Sequence, residues 1–326
     1  MSSHQIHLHY ESKLLCPAEV LWQQISIKEL CGHWINQVFP GSIIEGNWVS
    51  LGEDIKFLDK NKDGTLVRIN SYELNTELSF EHIASIKNGR SIVDSKNETN
   101  WTGTSEKYSI EDFGESCLFK VDIVTSKVHK TMFEATMPTA LKYMKAQCEE
   151  VIQGLKYPIG TFDSKRKFDK REIKRFIDII SSLPSEVKTL TADLTRQEME
   201  YCYRPNGWNI AQVVHHLSDS HMNAIIRFKL ALTEDNPTIK PYKEDRWAKL
   251  EDSNSLDLSL SLSILESMHE KWRVLLMSLD KEDFSKTYFH PESNKKVTLA
   301  QTAGMYAWHS QHHLAHINQA LSYKFN

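Results

Sequence analysis

Tyr306-Ala307-Trp308-His309-Ser310-Gln311-His312-His313-Leu314-Ala315-His316-Ile317 sets four imidazoles among apolar side chains at helical spacing. At ~100° per residue, His309, His313 and His316 fall within about 60° of one another, on the side that carries Tyr306 and Ile317, with His312 at its edge. Imidazoles at i and i+4 on one inward face have the spacing to share a metal ion. An inward row left unpaired would cost about a few kcal/mol, so ligation is the expected reason for the pattern.

The helix carrying these residues opens with Thr298 and Gln301 in capping-box spacing and runs on through Leu299, Ala303, Ser310 and Leu321. A second box, Asn209 and Gln212, opens a helix over 209–232 with Val213, Val214, Leu217, Ala224, Ile225 and Phe228 inward. That helix holds Val214-His215-His216-Leu217-Ser218-Asp219-Ser220-His221, so a third imidazole from it would complete a three-histidine site with positions open for water or substrate. Its stripe centres near Leu217, Ala224 and Phe228, and simple periodicity therefore points to His221, with His216 to one side; His215 is expected to support a metal ligand from behind or to be structural. Two more helices follow from Ile173, Phe176, Ile177, Ile180 and Leu183, ending before Pro184, and from Ile264, Met268, Trp272, Leu275 and Leu279, after period-two alternation over 256–263. Four amphipathic helices predict an antiparallel bundle, whose interior can build a metal site. The connection 233–255, with Pro237, Pro241, Tyr242 and Trp247, is too long for a simple turn and is expected to cover a pocket.

The first half has a different texture. Strand-like segments at 42–49, 54–58, 65–74 and 117–124 are separated by turn signals at Gly41, 61–64 and Phe113-Gly114. Helical periodicity marks the two ends of this half, 17–25 and 138–152, each with Pro near its start. Antiparallel sheet crossed by a long final helix is the expectation. Leu155-Lys156-Tyr157-Pro158-Ile159-Gly160 and the basic stretch 165–171 break both patterns, giving a first domain 1–154, a linker 155–168 and a bundle 169–326.

Composition narrows the function. The chain has 326 residues, 40% hydrophobic and 25% charged, as expected of a soluble globular protein of about two domains. Its 39 basic and 43 acidic residues give a net charge of −4, so no net positive field would hold nucleic acid or an anionic membrane. No apolar run reaches the ~18 residues of a membrane helix, and MSSHQIHLHY lacks the regions of a signal peptide, so a cytoplasmic protein is expected. Five cysteines without a CxxC pair predict free thiols. Nine of the 15 histidines follow residue 200, which directs any metal chemistry there.

Each half also resembles a known family. Residues 13–150 resemble the SRPBCC or START-like superfamily, in its polyketide-cyclase and Aha1-type branch, through Cys16-Pro17-Ala18-Glu19-Val20-Leu21-Trp22, residues 30–34, Trp101-Thr102-Gly103-Thr104-Ser105-Glu106 and residues 138–150. This resemblance implies an α+β helix-grip fold around an apolar cavity for a hydrophobic ligand, with Trp34, Trp48, Phe57, Phe80, Trp101, Phe119 and Met137 as candidate lining. Residues 155–320 resemble the DinB and YfiT-like superfamily of metal-binding four-helix bundles, through Tyr157-Pro158-Ile159-Gly160, Arg204-Pro205-Asn206-Gly207-Trp208, the runs 213–223, 227–234 and 237–242, and the histidine stretch.

The second resemblance implies one metal ligand on the second helix and a His-xxx-His pair on the last, falling on His216, His309 and His313, with His221 and His316 as alternates. It further implies a homodimer and two chemistries: hydrolysis by metal-activated water, or transfer of a low-molecular-weight thiol such as bacillithiol to a small-molecule electrophile. Asp219 and His312 are candidate proton acceptors and Arg227 a candidate anion contact. Zinc is the default ion, and imidazole ligation also suits nickel or manganese. The contrasting reading is a non-catalytic hydrophobic-ligand-binding protein whose structural metal is closed by His221 or His316 as fourth ligand.

Overall fold

The computed structural model describes residues 5–48, 51–92, 101–164 and 166–325; the first four residues, Val49 of the expected 42–49 strand and Lys165 of the basic stretch lie outside them. The chain forms two compact units, Met1–Gln153 and Gly154–Asn326.

In the first unit, strand β1 (Ile6–Leu14) leads to helices α1 (Ala18–Ser26) and α2 (Lys28–Val38), and then come β2 (Ile43–Glu45), β3 (Asp54–Leu58), β4 (Gly64–Glu73), β5 (Glu77–Lys87), β6 (Arg90–Ile92), β7 (Ser105–Asp112) and β8 (Cys117–Thr125). All strand pairs are antiparallel, in the order β1-β8-β7-β5-β4-β3-β2, with β6 on β5. Strict alternation turns Leu78, Phe80, His82, Ala84 and Ile86 of β5 inward, and Cys117, Phe119, Val121, Ile123 and Thr125 of β8 likewise. Helix α3 (Lys127–Lys156) presents Phe133, Met137, Ala140, Leu141, Met144, Cys148 and Ile152 as one buried stripe, and Phe133 meets Phe39 and Trp101 edge-on. A long helix held by an antiparallel sheet is the expected helix grip.

Helix α3 begins eleven residues before Pro138, contrary to the expectation that this proline marks its start. Pro138 and Glu134, whose carbonyl the missing N–H would have bonded, both lie on the exposed side, where water can satisfy that carbonyl. The rings expected to line a cavity pack on one another: Trp34 on Phe119, Trp48 on Phe57 and Phe80, and Phe57 on Phe80, at 5.6–5.9 Å. Beside them lies a buried polar network. His82 Nδ1 meets Thr65 Oγ1 at 2.9 Å and His82 Nε2 meets Glu106 Oε1 at 3.2 Å, while Tyr108 donates to Glu106 Oε2 at 2.8 Å. All five cysteines are free, and all but Cys202 are buried.

The second unit is built on four long helices, α4 (Lys170–Thr191), α6 (Ile210–Thr233), α8 (Ser259–Ser278) and α10 (Leu299–Tyr323), with α5 (Arg196–Met199), α7 (Glu244–Trp247), α9 (Lys281–Ser285) and the hairpin β9 (Thr287–His290) and β10 (Lys295–Thr298) in the connections. Both expected capping boxes are formed, Asn209 with Gln212 and Thr298 with Gln301. The antiparallel arrangement holds for α4 with α8 and α6 with α10, where Ile180 meets His269 and His216 meets His309. By contrast α6 and α8 run parallel, His215 lying beside Ser261 and His221 beside His269, because the long connection 234–258 returns the chain to the same end. Residues 157–164 and 166–168 lie along α10: Trp308 Nε1 donates to the carbonyl of Gly160, and Gly304 leaves room for Phe168 and Phe176, which a Cβ there would meet at 3.1 Å.

Helix α4 does not end before Pro184; it continues to Thr191. Proline there removes the donor to the carbonyl of Ile180, and His269 Nδ1 supplies a replacement at 2.6 Å. Two apolar clusters fill the bundle, one with Phe228, Trp272 and Tyr306, the other with Leu217, Leu265 and Ile317. Between them, at one level of α6, α8 and α10, lie His221, His269, His309 and His313.

The network at Glu106 separates buried from surface electrostatics. Replacing Glu106 by Ala leaves His82 Nε2 and the Tyr108 hydroxyl unpaired in the core and is expected to cost about 3–5 kcal/mol. Lys107→Ala, which removes a surface ion pair with Glu77, should cost less than about 1 kcal/mol. Urea denaturation of the full chain, read by circular dichroism, checks the contrast.

Candidate metal centre

His216 on α6 and His309 and His313 on α10 bring one ring nitrogen each to within 4.8 Å of the others, the one such histidine, cysteine or carboxylate group among the described residues. His309 Nε2 stands 3.2 Å from His216 Nε2 and 3.1 Å from His313 Nε2. Nitrogens bound at 2.0–2.1 Å to a common ion lie ~3.3 Å apart at a tetrahedral angle and ~2.9 Å apart at a right angle. The two edges at His309 fall between these values, and the third pair lies within 4.8 Å, so the trio has the spacing of a divalent-cation site. Burial, reinforced by the neighbouring imidazoles, holds His309 and His313 well below the usual histidine range, and burial brings His216 down to about 4. All three are neutral at pH 7, the form that ligates.

The groups behind the ligands set which nitrogen points inward. His316 Nε2 lies 3.2 Å from the carbonyl of Lys156, an acceptor only, so this nitrogen carries the hydrogen and His316 Nδ1 is left to accept from His313 Nδ1 at 3.3 Å. His313 therefore directs its lone pair through Nε2. His221 Nε2 meets His309 Nδ1 at 3.2 Å; when it accepts there, with its own hydrogen on the unpartnered Nδ1, His309 Nε2 is free to ligate. Both alternate ligands thus stand behind the trio. Tyr203 stacks on His316 at 3.8 Å and Trp208 leans on His216 at 4.7 Å, walling the site.

The trio opens on a cavity of about 480 Å³ whose lining includes Tyr203, Arg204, Ser220, Arg227, Tyr242 and His312. The connection between α6 and α8 contributes Pro241, Tyr242 and Glu244, in keeping with its expected covering role. His312, stacked on Trp308 at 4.4 Å and brought by burial to about 4, lines the cavity with its Nδ1 unpaired. Arg227 lines it as well and reaches the Tyr306 hydroxyl, which in turn donates to the Ser220 carbonyl at 3.1 Å. Asp219 is not among the lining residues; it is half-buried, and burial together with Asp252 raises it to about 6. Both His215 nitrogens are engaged away from the trio, with the Ser255 carbonyl at 2.8 Å and the Ser261 hydroxyl at 2.7 Å.

Tyr203, Tyr242 and His290 reach the cavity from connections and the hairpin, where no periodicity singles them out. The turn that delivers Tyr203 and Arg204 needs its sequence: Asn206 adopts φ 55°, and a Cβ on Gly207 would lie 2.7 Å from Arg204 Cγ and 3.0 Å from its carbonyl oxygen.

The buried imidazoles predict a pH response of the metal-free protein. Burial lowers His269 to about 4, whereas the unfolded chain protonates its histidines near 6.5. Below that pH the unfolded state binds more protons, so stability is full above ~6.5 and falls as pH drops towards 4. Urea midpoints at pH 7 and 5 should show the loss, and His269→Gln should reduce its slope. Replacing His221 by Ala frees the His309 ring to turn and is expected to weaken metal binding by about 10–100-fold, read by competition with a chelator.

A model of the DinB superfamily matches residues 180–317. Proteins of Bacillus cereus (strain 03BB102) and Bacillus thuringiensis subsp. konkukian (strain 97-27), both named "Putative metal-dependent hydrolase", are 52% identical to this chain over 163 residues, 50% of this chain and 93% of each relative. Among solved structures, YfiT from Bacillus subtilis, described as a probable metal-dependent hydrolase with an unusual four-helix bundle topology, is 38% identical, covers 53% of this chain and 99% of its own, and superposes with a TM-score of 0.51. Through its helical half, this chain belongs to the DinB superfamily, in the company of the YfiT-like metal-dependent hydrolases.

Proposed function

We propose that the protein is a metal-dependent enzyme acting on a small molecule, with His216, His309 and His313 as the protein ligands of a divalent ion, zinc by default. The observation that carries this reading is the convergence of three neutral Nε2 donors at one wall of an open cavity. Three protein ligands with an open side are the arrangement of a catalytic site, whereas structural zinc is closed by four. When bound, such an ion lowers the pKa of a water or a small thiol and polarises an electrophile. The descriptions of the relatives as metal-dependent hydrolases support water as the nucleophile; the same site suits a low-molecular-weight thiol such as bacillithiol.

The chain's own residues supply the rest. Trp208, Tyr203 and Tyr306 wall the reacting region with aromatic surface, limiting the water that competes with substrate. His312 adds a neutral imidazole to the cavity lining. Arg227, oriented by the Tyr306 hydroxyl that accepts from it, places hydrogen-bond donors on the same wall.

Elemental analysis of untagged protein should find about one divalent ion per chain, and His313→Ala should lose it while circular dichroism shows the helices retained. Cobalt-substituted wild type should change its visible absorption on addition of a small thiol if thiol is the nucleophile. An unchanged spectrum together with turnover of an ester or amide substrate would assign water. Absence of metal after incubation with zinc, nickel and manganese would overturn the proposal.

A further inference from the structure

Arg227 is 8% exposed and lines the same cavity. Among the described residues no carboxylate lies within ion-pair distance of it. Its guanidinium meets the phenols of Tyr306, at 3.4 Å, and Tyr288, both hydrogen-bonded elsewhere, to the Ser220 carbonyl and to Thr302 respectively. The nearby acid Glu292 is held by Lys243 at 2.7 Å. A guanidinium carries five donors, and two phenols leave most of them unmet. A buried cation in this state is costly unless an anion completes it.

We infer that Arg227 anchors a carboxylate of the substrate, placed about one helical turn from the metal ligands. The spacing follows from Tyr306, whose hydroxyl bonds the carbonyl of Ser220, four residues and thus ~6 Å along α6 from His216. A single unpaired guanidinium balances one negative charge, and its planar fork matches the two oxygens of a carboxylate, which favours that group over the more highly charged phosphate. Lys156, Arg204 and Arg227 outnumber the acids of the lining, Glu244 and Glu292, which leaves it a small excess of positive charge toward an anionic ligand. The substrate class is therefore a small carboxylic acid whose reactive group, or thiol, lies a few bonds from the carboxylate. This assignment deepens the metal-enzyme reading and rests on it only for the second point of attachment.

The test uses the full chain, zinc-loaded and analysed for metal. Calorimetric titration should show 3-mercaptopropionate binding at least about tenfold more tightly than neutral 2-mercaptoethanol. Arg227→Gln should bring the two to near equality with metal content unchanged, and Arg227→Lys, which keeps the charge without the fork, should retain part of the preference. Equal affinities in the wild type, or a preference that survives in Arg227→Gln, would overturn the anchor. So would inorganic phosphate displacing the mercaptoacid as well as propionate does. Propionate alone, titrated into metal-free protein, separates the two readings: binding that disappears in Arg227→Gln supports the anchor even if no metal is ever found.

Discussion

The carbonyl of Lys156 can only accept a hydrogen bond, and the orientation of one of the proposed metal ligands follows from that. It fixes the hydrogen of His316 on Nε2, which makes His316 Nδ1 an acceptor for His313 and turns the His313 lone pair to the centre. Without such an acceptor, a neutral imidazole is free to adopt the other tautomer and present N–H where a lone pair is needed. His221 stands behind His309 Nδ1 at 3.2 Å, where accepting its hydrogen leaves Nε2 free. The site is thus preorganised by groups that need not touch the ion.

A defect in α4 feeds the same arrangement. Pro184 strips the Ile180 carbonyl of its helical donor, and His269 fills the gap with Nδ1. That bond holds the His269 ring stacked at 4.9 Å on His221, which in turn supports His309. A proline that reads as a helix terminator therefore acts as the outermost support of a ligand three contacts away. The parallel course of α6 and α8 is what places His221 and His269 at one level.

Much of this was legible in the sequence, and the rest was hidden for physical reasons. The boxes at Asn209 and Thr298, the stripes of the four helices and the His-xxx-His spacing are local, and the structure shows each of them. Periodicity favoured His221 over His216 because a stripe reports burial, and His221 is indeed fully buried. Convergence on a point is a different property, set by the partner helix, and the motif resemblance carried that information where the stripe did not. Strand β1 escaped notice since its outward positions carry His7, His9 and Glu11, while only Leu14 is fully buried. The run through Pro184 was invisible because its replacement donor lies far away in sequence.

The distinction between a structural and a catalytic ion turns on where a fourth protein ligand could come from. His316 has both nitrogens engaged, one on Lys156 and one on His313, and His221 spends Nε2 on His309. Using either as a ligand would release the tautomer of the ligand it supports, so recruiting a fourth imidazole would disable one of the first three. On the proposed reading the remaining coordination positions fall to the cavity, whose lining includes Arg227, which has no acidic partner among the described residues, and the neutral imidazole of His312. A purely structural ion gains nothing from an open side lined with such groups. Burying neutral imidazoles in a layer between two apolar clusters weakens the bundle in acid and leaves converging lone pairs unsatisfied, a cost that makes physical sense where a cation completes the site and chemistry uses the face it leaves open.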